Sequence, residues 1–185
     1  MVTIPFALIC SVVLVLFVLD RRRRQRKTGR SFRLIREIGM SLFLFYLLAV
    51  IYLVFEPFHF VLPGSHASSV SLLPFDEITA QIRRNFHLAL FYLGGNVLLF
   101  VPFGFLIPLL LPDRRTFLRV TADGFLCSLG IELSQYLFTF SRSADVDDVI
   151  FNTIGTAMGY VFYRLLATWG RKRRSVRKLL ARVAG

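Results

Sequence analysis

Five long, mostly apolar runs dominate this chain: Val2–Leu19, Ile38–Phe55, Leu88–Leu111, Phe117–Phe140 and Val149–Trp169. A helix of about 20 such residues matches the hydrocarbon thickness of a bilayer. Composition agrees, since 55% of the 185 residues are apolar and mean hydropathy is +0.62. Soluble domains run near about 45–50% apolar. The expected fold class is therefore all-α, a polytopic helical membrane protein with about five transmembrane helices.

Direction follows from the basic residues. Every Lys and Arg except Arg83, Arg84 and Arg142 falls after the first, third or fifth run, or just inside their ends. By the positive-inside bias this puts the N-terminus out and the C-terminus in. The acidic residues lean the other way: Glu56, Asp76, Glu77, Asp145, Asp147 and Asp148 fall outside, with Glu132 in the outer half of the fourth run. A signal peptide carries its positive charge before the apolar core. Here Arg21–Arg24 come after it, so the first run reads as a retained anchor.

A net charge of +12 would ordinarily suggest nucleic acid. The basic residues are not interleaved with aromatics, however, but blocked between apolar runs, and no nucleic-acid partner is expected. Arg21–Arg24, Arg26, Lys27 and Arg30 form a juxtamembrane cluster suited to anionic lipids, so membrane lipids are the expected partners. In the tail, Val176, Leu179, Leu180 and Val183 read as an apolar stripe of an interfacial helix. Cys10 and Cys127 lie inside apolar runs as small hydrophobes. His59, His66 and His87 are too scattered to form a metal site, and the sequence leaves any cofactor unknown.

The last three runs carry the polar groups. On the fourth, Thr121, Gly124, Ser128, Glu132, Gln135 and Thr139 share one helical face, which Arg142 continues. On the fifth, Asp145, Asp148, Asn152, Gly155 and Gly159 do the same. A carboxylate at the middle of a bilayer helix costs about 2.5–3.5 kcal/mol on insertion scales, so Glu132 is the foremost functional candidate. Asp145 or Asp148 is placed to cap the fifth helix. Gly155 and Gly159, at GxxxG spacing, invite close helix approach and would press the Asp148–Asn152 face against the fourth run. In the third run, Pro102 should kink the helix. Pro102 and Gly104 are packing positions, and Asn96 is at a depth that lets its amide reach Glu132. Between the second and third runs, Pro74-Phe75-Asp76-Glu77 marks the start of a short helix, with Ile78, Ile82 and Phe86 facing the membrane surface.

The pattern Asn96-x-x-Leu99-Phe100-x-Pro102-Phe103-Gly104, then Glu132-x-x-Gln135, then Arg142-x-x-Asp145-x-Asp147-Asp148-x-x-x-Asn152-x-x-Gly155-x-x-x-Gly159 resembles the VanZ-like family of bacterial membrane proteins. The likeness covers about Leu88–Tyr163 and leaves out the first two runs. It implies a helical protein of the bacterial cytoplasmic (inner) membrane, and the family's namesake is associated with resistance to the glycopeptide teicoplanin.

The chain divides into an anchor with a basic loop (1–37), a second span with an exterior loop (38–87), a three-span core (88–169) and a basic tail (170–185). The leading expectation is an outward-facing pocket of Asn96, Glu132, Gln135, Arg142, Asp145, Asp148 and Asn152. It would bind a lipid-linked or cell-envelope ligand, with Arg142 suited to a phosphate and the acids to a cation or ammonium group. The alternative is an integral-membrane enzyme on a lipid-linked envelope substrate. In that reading Glu132 is the general acid or base, and Asp145, Asp147 or Asp148 would supply oxygen ligands to a divalent metal.

Overall fold

The computed structural model describes residues 6–28, 34–55, 70–71, 73–138 and 144–172. Its architecture is helical. The long helices are α1 (Phe6–Thr28), α2 (Leu34–Phe55), α4 (Phe86–Leu110), α5 (Phe117–Phe138) and α6 (Val146–Lys172), with a short α3 (Asp76–Arg84) between α2 and α4. One 3-10 turn, Pro112–Arg114, joins α4 to α5. Two two-residue strands, Val70–Ser71 and Ala144–Asp145, pair in parallel.

Each apolar run becomes one helix, and the boundaries differ in instructive ways. The first helix does not stop at Leu19 but continues to Thr28 through the basic block. Arg, Lys and Gln are good helix formers, so charge alone does not end a helix. Arg21 then reaches across to Glu37 in the first turn of α2, with Nε 2.5 Å from the carboxylate, and ties the two helices together. The short α3 begins at Asp76, as the Pro-Phe-Asp-Glu signal implied. Helix α4 runs unbroken through Pro102 and Pro108.

Helix α6 packs most extensively along α4 and next along α5, whereas α1 rests mainly on α2. The core lies where α4, α5 and α6 meet and holds Phe100, Phe103, Ile107, Val120, Tyr160 and Tyr163. Helix α2 closes one side. Its Phe43 ring lies 6.1 Å from Phe103, and the Tyr46 hydroxyl donates to the Leu99 carbonyl at 2.6 Å.

Glycine governs how close the helices come. A Cβ on Gly155 would overlap the Val97 carbonyl oxygen, and one on Gly159 the Val101 carbonyl oxygen. A Cβ on Gly104 would overlap the Thr156 backbone, and one on Gly124 the Thr156 side chain. The fully buried Thr156 is thus the crossing point of three helices. The Gly155–Gly159 stripe accordingly meets the third long apolar run, α4, and not the fourth as the sequence suggested. Small residues announce a close approach but not its partner, and here α4 answers with its own Gly104.

The outer surfaces are apolar. Leu42, Phe45, Phe91, Leu98, Leu118, Leu126 and Leu165 are all more than half exposed. Leu34–Val54 and Phe86–Leu110 are each long and apolar enough to cross a membrane. The other long helices interrupt their apolar runs with charge, such as Arg119, Asp123 and Glu132 on α5.

Candidate functional site

The polar groups gather where α5 ends and α6 begins. Helix α6 starts at Val146, and Asp145, the residue before it, accepts the Asp147 backbone N–H at 2.9 Å through Oδ1. This is the expected cap, and it satisfies one of the donors that a helix start leaves open. The same Asp145 gives its own backbone N–H to Glu132 Oε2 at 3.0 Å. Glu132 is only 4% exposed.

Asp147 points the other way around the helix, into the preceding chain. Its Oδ1 accepts the Phe75 backbone N–H at 2.8 Å. Phe75 stands directly before α3 with φ 68°, a left-handed conformation that costs a non-glycine residue about 1–3 kcal/mol. Together with the Val70–Ser71 pairing to Ala144–Asp145, this bond pins the approach to α3 onto the start of α6.

The next residue, Asp148, accepts a hydrogen bond from the Asn96 amide of α4. Asn152 follows on the same face of α6 and donates through Nδ2 to the Ser128 hydroxyl of α5 at 2.8 Å. Asn96 therefore serves Asp148 and not Glu132. Glu132 instead accepts the Asp145 backbone N–H. Gln135 is also buried, but its amide donates to the Val54 carbonyl at 3.0 Å in the last turn of α2. It ties α5 to α2 at the margin of the cluster. Thr139, Arg142, His59, His66 and the tail stripe lie outside the described residues. His87 is exposed, with its ring edge-on to Phe86 at 5.9 Å.

Most of this network is internally satisfied, and the exceptions are informative. Among the described residues, Asp147 Oδ2 and Asn152 Oδ1 are buried acceptors with no hydrogen-bond donor. Asp147 is 3% exposed and Asn152 is 4% exposed. A buried acceptor left without a donor costs about 1–3 kcal/mol. Asp147 is not part of the pocket expected from sequence, and only the metal-binding alternative names it. Its signal was the unusual density of acids in Asp145-Val-Asp-Asp148, more than helix capping requires. Ser128 is missing from the pocket expected from sequence, although its spacing of four from both Gly124 and Glu132 places it on the polar stripe. Among the described residues no group of three or more His, Cys, Asp or Glu is arranged to hold a metal. The acids instead take separate partners.

The family model VanZ/LLP1 matches residues 43–167, about two-thirds of the chain. The chain belongs to the VanZ/LLP1 family. The match begins inside α2, so the second apolar run belongs to the family unit and the likeness is longer than Leu88–Tyr163. The bonds from Tyr46 to Leu99 and from Gln135 to Val54 give the physical reason, since α2 is built into the α4–α5 pair. No curated protein and no solved structure matches the chain significantly.

Proposed function

We propose that this VanZ/LLP1 protein spans the bacterial cytoplasmic membrane five times and uses the polar end of α4, α5 and α6 to bind a lipid-linked or cell-envelope ligand from outside. The exposed apolar belts support the membrane setting, because water-soluble monomers seldom expose apolar patches larger than a few hundred Å². The bias of Lys and Arg supports N-terminus out and C-terminus in. Reporter fusions after Arg36 and after Gly185 should both report cytoplasm. An exterior signal at either would reverse the face on which the acids lie.

One observation carries the binding reading: Asp147 Oδ2 and Asn152 Oδ1 are buried acceptors without donors. Such atoms call for N–H, O–H or cationic groups, and envelope precursors that carry amines and sugar hydroxyls provide them. Arg142, which follows the α5 stripe in sequence, is the residue suited to a ligand phosphate. Sequestering such a precursor would alter glycopeptide susceptibility, teicoplanin included. The binding reading is preferred to acid–base catalysis because Glu132 is buried and holds the Asp145 N–H. The test is native mass spectrometry of the detergent-purified protein. A retained lipid-linked sugar is the expected result, and a converted product would favour the enzyme.

A further inference from the structure

A second polar feature lies at the opposite end of the bundle. The start of α5 and the later turns of α6 enclose an open cavity of about 580 Å³ lined by Arg115, Thr116, Phe117, Tyr160, Arg164 and Leu165, among others. We infer that this cavity holds the phosphate of an anionic phospholipid between Arg115 and Arg164, with an acyl chain lying along Val161 and Leu165.

The two cations are prepared differently. Arg115 is fixed, since its Nε donates to the Pro108 carbonyl at 3.1 Å and its own carbonyl accepts the Tyr160 hydroxyl at 3.0 Å. Tyr160 is held in turn by the edge of Phe117 at 5.5 Å. Fixing Nε leaves the rest of the planar fork to meet oxygens in pairs, the geometry that phosphate accepts best. Arg164 is exposed on α6, and among the described residues it has no ion-pair partner. The neighbouring arginines differ: Arg114 pairs with Asp123 at 3.0 Å and Arg119 donates to the Asp113 carbonyl at 2.8 Å. Of these four arginines, only Arg114 has a carboxylate partner among the described residues.

The apolar flank selects the source of the phosphate. Val161 is 49% exposed and Leu165 is 60% exposed, on either side of Arg164. A free phosphate gains nothing from such surfaces, whereas a phospholipid covers them while its head group meets the guanidinium groups. Basic pockets between membrane helices are suited to anionic head groups for this reason. The inference does not depend on the ligand proposed at the other end. It uses the proposed topology only to name the inner leaflet.

The chain's single tryptophan, Trp169, directly follows Thr168 of the cavity wall and gives a local readout. The full chain is reconstituted in phosphatidylcholine vesicles containing either brominated phosphatidylglycerol or brominated phosphatidylcholine, and quenching of Trp169 is titrated. Phosphatidylglycerol should be preferred on the order of tenfold at the quenching site. Arg164→Gln should lower that preference about fivefold and Arg115→Gln by a similar factor, as expected for a basic residue at an anionic surface. Arg119→Gln, a charge change outside the cavity, should leave the preference unaltered. Among the described residues Arg164 makes no side-chain hydrogen bond or ion pair, so Arg164→Gln remains decisive even if Arg115→Gln unfolds. Equal quenching by the two lipids, an unchanged preference in Arg164→Gln, or displacement by millimolar inorganic phosphate would each overturn the inference.

Discussion

Helix α6 is held to its neighbours in two ways along its length. Through Gly155 and Gly159 it is held by the absence of side chains, with the α4 backbone directly against it. Through Asp145, Asp147, Asp148 and Asn152 it is held by hydrogen bonds, to Glu132, Phe75, Asn96 and Ser128 either directly or through the Asp145 backbone. At the polar end two buried acceptors, Asp147 Oδ2 and Asn152 Oδ1, lack donors; among the described residues the other such buried atoms are Thr121 Oγ1 and Arg36 Nε, one to a helix, whereas α6 carries two near its start. That pairing marks the candidate binding site.

The largest effect is expected at the seam. Gly155→Leu and Gly159→Leu must push α6 away from α4, and should cost about 3 kcal/mol or more, beyond ordinary overpacking. Thermal melts in detergent should show the loss. Wild-type melting with lost ligand would instead assign the glycines to the binding site and erase the contrast between the two regions.

At the polar end the effects should be smaller and graded by chemistry. Glu132→Leu removes the acceptor from the half-buried Asp145 N–H and should destabilise by about 1–3 kcal/mol, whereas Glu132→Gln keeps an acceptor and should melt close to wild type. Equal losses for the two variants would mean that charge, and not the hydrogen bond to Asp145, holds this end together. The Asn96–Asp148 bond joins α4 to α6, and a double-mutant cycle with alanine should return a coupling of about 1–2 kcal/mol. Zero coupling would remove α4 from the polar network.

The smallest effect should be a gain. A Cβ at Gly94 or Gly95 meets open space, unlike one at Gly104 on the same helix. Gly94→Ala and Gly95→Ala should therefore stabilise α4 by about 0.5–1 kcal/mol in chemical or thermal denaturation, the helix-propensity difference between the two residues. A marked loss there would show that these glycines face a partner.

Much of this contrast was legible in the sequence, and the reason is periodicity. Apolar runs located all five long helices, and the spacings of three and four placed Glu132, Gln135, Asp148, Asn152, Gly155 and Gly159 on interior faces. Which helix each face meets was not legible. Gly155 and Gly159 meet α4, Gln135 turns to α2, and Asn96 bonds Asp148 rather than Glu132. Each of these partners is a backbone or amide group on another helix, and Glu132 likewise takes a backbone donor, Asp145 N–H, that no side-chain pattern announces. The role of Asp147 was hidden for the same reason, because its partner is the backbone of Phe75, far away in sequence.

The central claim, that the unspent acceptors at the start of α6 await a ligand, is tested most directly by Asp147→Asn. The substitution keeps the shape and an oxygen for the Phe75 N–H, but puts an amide donor where the free carboxylate oxygen stood. The account predicts an unchanged melting temperature and loss of the co-purifying lipid-linked ligand in native mass spectra. Retention of that ligand at the wild-type level by the folded variant would contradict it.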